Sequence, residues 1–390
     1  MTKEGSAISV TGPLGFRAAG VAAGIKASGN PDVAVVINDG PVNAAAGVFT
    51  SNRVKAAPVR WSQQVLAGGQ VQAVVLNSGG ANACTGPDGF ADTRQTAEHL
   101  AGLLSVPSGE VAVCSTGLIG ERLPMHALLI GVDAATASAS AAGGPAAAKA
   151  IMTTDTVSKT CSVQGSGYEI GGMAKGAAML APALATMLVV LTTDAELPAT
   201  ELDKALRGSV RATFDRLDSD GCMSTNDTVL LLASGASGVR PDPAEFTELL
   251  TEACEDLARQ LLADAEGATK AIAIDVIGAA GEDDALEVGR AIARCNLFKC
   301  AIAGEDPNWG RALAAAGTTA AAFEPDQISV AINGIWVCRD GAAGADRSGV
   351  DLRPRDVTVT VDLAAGQSAA TVLTTDLTAE YVHENSAYST

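Results

Sequence analysis

Aromatic side chains make up only 3% of the 390 residues, and the mean residue is light because long stretches are Ala and Gly. Histidine is almost absent. His99, His126 and His383 lie far apart and outside any nucleophile motif, which suits surface or capping roles and argues against a histidine-based triad. The eight cysteines are scattered, with no CxxC pair and no Cys/His cluster, so neither a disulfide scaffold nor a structural zinc site is supported. Reduced thiols in a cytoplasmic protein are the expectation. Basic residues are outnumbered, 26 against 44, for a net charge of −18. Such a surface repels phosphate backbones and anionic lipid, so nucleic-acid and membrane roles are not expected. The start, MTKEGSAISV, lacks a basic stretch followed by an apolar one, so no secretory signal is read there. The longest uncharged run, GAAMLAPALATMLVVLTT between Lys175 and Asp194, contains Pro182 and is too short and broken for a membrane span. It reads as a buried element.

Length alone suggests two to three domains at ~150 residues each. Val- and Ile-rich runs bounded by Gly, Asn, Asp or Pro recur as strand candidates. They include DVAVVIND (Asp32 to Asp39), QVQAVVLNSG (Gln70 to Gly79), EVAVCSTG (Glu110 to Gly117), TMLVVLTTD (Thr186 to Asp194) and DTVLLLASG (Asp227 to Gly235). Later come KAIAIDVIG (Lys270 to Gly278), ISVAINGIWVC (Ile328 to Cys338) and DVTVTVDL (Asp356 to Leu363). Leu202, Leu206, Val210, Phe214 and Leu217 keep helical spacing, which predicts a helix over Thr200 to Leu217. Two more are expected over Asp242 to Asp264 and Asp283 to Ala301. Ala134 to Ala150 reads either as a mobile linker or as an Ala-rich helix broken at Gly-Gly-Pro. Strands that follow one another directly argue against a doubly wound parallel sheet. The expected fold is α+β: a layered αββα-type sandwich over residues 1–280, with a smaller C-terminal α/β domain over 281–390.

Two superficial motifs fall away. EGATK (Glu266 to Lys270) lacks P-loop spacing, and DSDGCMSTND (Asp218 to Asp227) lacks the ligands of a calcium loop. Without a metal or a histidine base, acyl chemistry needs another proton acceptor. A Thr or Ser whose own α-amine takes the proton supplies one, since an α-amine titrates near ~7.7–8.0. Such an amine is made by cutting the chain just before that residue. Residue patterns alone do not choose which threonine.

A set of ordered segments does. GFRAAGVAAGIK (Gly15 to Lys26), GVFTSNRVKAAPV (Gly47 to Val59), NSGGANACTG (Asn77 to Gly86), CSTGLIGERLPM (Cys114 to Met125) and MTTDT (Met152 to Thr156) come first. KGAAMLAPALATMLVVLTTD (Lys175 to Asp194), DAEGATKA (Asp264 to Ala271), GEDPNWGRA (Gly304 to Ala312) and YVHENSAYST (Tyr381 to Thr390) follow. Together they resemble the ornithine acetyltransferase family, arginine-biosynthesis enzymes some of which are also glutamate N-acetyltransferases. The resemblance implies self-cleavage between Ala185 and Thr186, leaving fragments 1–185 and 186–390 with Thr186 as the new N-terminal nucleophile. It implies an oxyanion hole at Thr116 and Gly117, and substrate contacts at Thr153, Lys175, Thr186, Glu266, Asn385 and Thr390. Lys175 suits an α-carboxylate and Glu266 an amino group of ornithine. It also implies that two of each fragment assemble, with no cofactor and no metal. Gly80 stands where the family pattern has an Asn-like residue, and Ala177, Ala178, Ala183 and Leu184 also depart from it; Pro182, Ala185 and Thr186 do not.

The reaction implied is transfer of the acetyl group from N-acetyl-ornithine to glutamate through an acetyl-threonine intermediate, with ping-pong kinetics. Three alternatives stay open. A self-processing aminopeptidase of the same fold would hydrolyse N-acetyl-ornithine whether or not glutamate is added. A metabolite-binding protein would never cut itself. A bifunctional enzyme would also take acetyl from acetyl-CoA; the acidic composition, with no evident basic groove for nucleotide phosphates, leans away from this last one.

Overall fold

A run such as VAVVIN (Val33–Asn38) has no polar alternate, so a strand built from it needs cover on both faces. The computed structural model, which describes residues 8–179 and 187–387, supplies that cover by stacking layers. The chain runs β1 (Phe16–Val21), β2 (Val33–Asn38), β3 (Ala44–Phe49), α1 (Ala57–Leu66), β4 (Ala73–Asn77), α2 (Gly86–Leu104), β5 (Val111–Ser115), α3 (Met125–Ser138) and α4 (Gly144–Ala150). It continues through β6 (Lys159–Gln164), β7 (Glu169–Lys175), β8 (Leu188–Thr193), α5 (Ala199–Ala212), β9 (Thr228–Ala233) and α6 (Pro243–Ala263). The last stretch holds β10 (Ala271–Ala279), α7 (Glu282–Ala293), α8 (Asn296–Ala303), α9 (Trp309–Ala316), β11 (Ser329–Ile332), β12 (Ile335–Arg339), β13 (Ala342–Ala343), β14 (Asp356–Asp362), β15 (Ser368–Thr375) and α10 (Ala379–Ala387).

Two sheets form the sandwich, one in the order β1-β2-β4-β5 and the other β3-β9-β8-β7-β6. Successive strand residues alternate between cores. Val33, Val35 and Ile37 face a core shared with Leu100 of α2 and Leu128 and Val132 of α3. Ala34 and Val36 face the opposite way, where they meet Leu188, Val190, Leu230 and Leu232 of the second sheet. From that sheet Val189, Leu191, Val229 and Leu231 turn outward to Leu202 and Leu206 of α5 and Leu250 and Leu257 of α6. Helix, sheet, sheet, helix is the expected αββα order, and its cause is that period-two side-chain alternation feeds two cores at once.

A third sheet, β13-β12-β11-β14-β10-β15, is faced by Ile292 of α7, Phe298 of α8 and Ala312 of α9. Its strand β10 pairs in parallel with β14 and antiparallel with β15, so this sheet begins at Ala271, ahead of the boundary expected near 280. The segment Ala134 to Ala150 bears out the Ala-rich helical reading, broken over 139–143 at the Gly-Gly-Pro. It holds the end of α3 and the whole of α4, which starts with a proline in its first turn and buries Ala147, Ala148 and Ala150. The helix expected over Asp283 to Ala301 is two, α7 and α8, parted at Arg294–Cys295. The break lets Arg294 reach Asp218 at 2.7 Å while both helices keep apolar faces on the sheet. Helix α5 ends before Thr213, whose backbone leaves helical angles. Among the described residues no helix is long and apolar enough to cross a membrane.

Candidate active site

Strand β5 ends at Ser115 in the first sheet and β7 ends at Lys175 in the second, and both ends open on one cavity. It has a volume of about 70 Å³, and Thr116, Gly117, Thr153, Lys175 and Glu266 line it together. Five of the residues singled out from sequence thus meet there, although 150 positions separate Thr116 from Glu266. Asn385 sits on α10 outside the cavity and reaches it indirectly, its Nδ2 donating to Glu266 Oε2 at 2.9 Å. Ala185, Thr186 and Thr390 lie outside the described residues.

The turn after β5 is held from several sides. The Thr116 N–H donates to Asn77 O and its carbonyl accepts from Gly80 N. Asn226 donates to Ala81 O at 2.7 Å and to Ser115 O at 2.8 Å, locking the end of β5 to the neighbouring loop. Gly117 has φ +130, and a Cβ there would fall 2.7 Å from Gly80 N. Only glycine fits. Among the described residues no backbone carbonyl accepts the Gly117 N–H. An N–H and a hydroxyl on adjacent residues are the kind of donor pair that can serve a developing oxyanion.

Lys175 is 2% exposed, and its side chain's one hydrogen bond among the described residues runs to Thr116 Oγ1 at 3.3 Å. Burial pulls its pKa down, while Asp155 works against that shift. A buried ammonium with spare N–H donors is costly until an anion arrives, which suits capture of a substrate carboxylate. Asp155 is the organiser beneath it. Its Oδ1 accepts from Lys159 Nζ at 2.6 Å and from Gly176 N at 2.7 Å, and its Oδ2 accepts from Thr153 N at 2.9 Å. Burial would raise the Asp155 carboxyl, but Lys175 and Lys159 outweigh it and hold the group down at about 2. Lys159, wholly buried, is neutralised by Asp264 as well, at 2.6 Å. Glu266 N donates to Ala177 O, which ties the loop after α6 to the residue pair following β7. Lys26 donates to Met152 O at 2.6 Å, next to Thr153.

Asp155, Lys159, Asp264 and Asn226 were not singled out from sequence. Asp155 and Asp264 stood inside the MTTDT and DAEGATKA segments, but nothing local marks them as partners of a lysine elsewhere. Asn226 belongs to DSDGCMSTND, whose polar density is spent on holding neighbouring backbone.

The comparisons with known proteins decide the kinship. The model of the ArgJ family matches residues 17–390. The chain belongs to the ArgJ family. A protein of Thermobifida fusca named arginine biosynthesis bifunctional protein ArgJ is 72% identical over 98% of this chain and 100% of its own length. One of the same name from Streptomyces avermitilis is 67% identical, again over 98% and 100%. A solved structure described as ornithine acetyltransferase complexed with ornithine, from Mycobacterium tuberculosis, is 56% identical over 46% of this chain and 96% of that one, with a TM-score of 0.42. Membership in the ArgJ family places this chain among the acetyltransferases of arginine biosynthesis, in keeping with the ordered segments that span it.

Proposed function

We propose that this chain transfers the acetyl group of N2-acetyl-L-ornithine to L-glutamate, giving L-ornithine and N-acetyl-L-glutamate, after cutting itself between Ala185 and Thr186. The observation that carries the reading is the convergence of Thr116, Gly117, Thr153, Lys175 and Glu266 on one cavity in a chain of the ArgJ family. Thr186 stands in sequence two residues before Leu188, which pairs with Lys175 across β7 and β8.

In the mechanism, the Thr186 hydroxyl attacks the acetyl carbonyl and passes its proton to the Thr186 α-amine. A C–O bond forms, and the Gly117 N–H and Thr116 hydroxyl stabilise the oxyanion. Collapse expels ornithine, which takes the proton, and leaves acetyl-Thr186. Glutamate enters, gives up an amine proton as it attacks the ester, and leaves as N-acetyl-glutamate with the hydroxyl restored. Lys175 binds the α-carboxylate of either substrate. Glu266, steadied by Asn385, pairs with the ornithine side-chain ammonium, and Thr153 and the terminal Thr390 complete the contacts. Two copies of each fragment assemble into the working enzyme.

The test is the intact mass of purified protein followed by a transfer assay. Two fragments of near-equal mass, the second beginning TMLVV, and label moving from acetyl-ornithine to glutamate are expected. A single stable species of 39.0 kDa would overturn the reading. The relatives' names call them bifunctional, which favours acetyl-CoA as a second donor; labelled acetyl-CoA with glutamate checks it.

A further inference from the structure

The two substrates of the proposed reaction make opposite demands on one pocket. Both carry an α-carboxylate, but the ornithine side chain ends in an ammonium and the glutamate side chain in a second carboxylate. Glu266, which suits the ammonium, repels a carboxylate at close range. Among the described residues Lys175 is the one cation lining the cavity, and in the proposed reaction the shared α-carboxylate takes it. Glutamate needs a second cation.

Lys26, in the loop between β1 and β2, is placed to supply it. A second cavity, of about 470 Å³, adjoins the first at Thr153, which lines both, and Lys26 stands half-buried on its wall. The lysine is held from both ends. Its backbone N–H donates to Asp32 Oδ2 at 2.9 Å, and its ammonium donates to Pro31 O at 3.0 Å and to Met152 O at 2.6 Å. One of its three N–H donors is left over. The two carboxylates that act on its charge, Asp32 and Asp155, are already taken. Asp32 accepts from the Ala23, Ile25 and Lys26 backbone, and Asp155 from Lys159, Gly176 and Thr153. Lys149 lies exposed on the same cavity and adds a second positive charge. A fixed ammonium without a counter-ion gains the fold little, since burial disfavours its charge. For an incoming anion it is a receptor that needs no further ordering.

We propose that Lys26 selects the acceptor: its remaining N–H donates to the side-chain carboxylate of glutamate, which passes Thr153 into the second cavity while the α-carboxylate stays on Lys175. The inference rests on the proposed transfer reaction. N-acetyl-ornithine sends its ammonium towards Glu266 instead, so a single pocket serves side chains of opposite charge.

The experiment compares processed wild type with Lys26→Gln, which offers an amide donor in place of the ammonium and removes the charge. In a ping-pong reaction kcat/KM for donor and for acceptor belong to separate half-reactions, so each is read alone. The acceptors are glutamate and glutamine, which differ in the charge that Lys26 reads. Lys26→Gln should lower kcat/KM for glutamate roughly 10- to 100-fold, as loss of a hydrogen bond between charged groups does. The preference for glutamate over glutamine should collapse, and kcat/KM for acetyl-ornithine should change far less. A preference unchanged from wild type would overturn the proposal. So would equal losses with glutamate and acetyl-ornithine, which mark Lys26 as a strap for the Met152 backbone only. If the variant does not fold, wild type decides: it should strongly prefer glutamate to glutamine, and added salt, which screens the half-exposed ammonium, should shrink that preference. Parity between the two acceptors, or a preference indifferent to salt, refutes a cation at the side-chain carboxylate. Wild type that moves no acetyl group from acetyl-ornithine would instead sink the proposed function, and this inference with it.

Discussion

Lys175 Nζ lies 3.3 Å from Thr116 Oγ1, although Lys175 ends a strand of one sheet and Thr116 follows a strand of the other. In the proposed mechanism the contact would couple substrate capture to oxyanion stabilisation, since the cation proposed to receive the carboxylate also holds the hydroxyl proposed to donate to the developing charge. Both side chains are nearly inaccessible, at 2% each, so solvent screens neither.

Removing the hydroxyl should therefore strike turnover more than folding. Thr116→Val is expected to lower kcat roughly 100-fold, in line with loss of one oxyanion donor, while Thr116→Ser keeps most activity. Steady-state kinetics with a melting curve for each variant checks this. A Thr116→Val enzyme with unaltered kcat would remove the hydroxyl from the oxyanion hole.

Lys175→Met should separate binding from stability. Loss of the charged hydrogen bond to carboxylate is expected to cost about 3 kcal/mol, or roughly 100-fold in kcat/KM, for acetyl-ornithine and glutamate alike. Tm should stay level or rise, because an incompletely paired buried cation gives way to an apolar chain. Selective loss with one substrate only would mean that Lys175 does not read the shared carboxylate.

Asp155 links the site to acid stability. Its carboxyl is held at about 2, below an unfolded value of 3.8, so it stabilises the fold fully above pH 3.8 and that contribution fades as pH falls through about 2. Asp155→Asn should be destabilised at neutral pH, where Lys159 loses one of its two carboxylates. The gap in Tm between variant and wild type should close between pH 4 and 2. A gap independent of pH would show that the charge of Asp155 is not what matters.

Gly267 bears α10 directly. It has φ +60, and a Cβ there would run into the backbone nitrogen of Tyr381. Gly267→Ala should push α10 away, break the bond from Asn385 to Glu266 and raise KM for acetyl-ornithine several-fold. Global Tm should move little, since no residue of α10 is buried. Deleting residues 379–390 should give the same KM defect, and an unchanged KM in both would dissociate the tail from the substrate.

Strand candidates were legible wherever the apolar run was continuous. VAVVIN, LVVLTT and TVLLLA each became a strand because residues facing either way are buried. The run from Ile328 to Cys338, read as one strand, is two, β11 and β12, joined by a two-residue turn at Asn333-Gly334. Strand β7, EIGGMAK, escaped notice because its two glycines carry no β signal; they are there because Ser9, Pro13 and Cys161 press on that strand. The helices α1 and α2 were also missed: α1 is short and buries Ala57, Pro58, Val59, Ser62 and Val65, while the buried face of α2 is mostly small or polar, with Leu100 its one large apolar side chain.

By itself the sequence determined the layered α+β plan, through runs that can only be strands covered on both faces, and the family, through ordered segments spanning the chain. Thr116, Lys175 and Glu266 were named from those segments without any knowledge of their spacing. Tertiary structure alone decided that they share one cavity, that Asp155 ties Thr153 and Gly176 to Lys159, and that Asp227 is buried against Met187. The reason is that a side chain's charge state and partners depend on distance and burial, and these come from strand register and sheet packing between residues far apart in the chain. A one-dimensional pattern records neither.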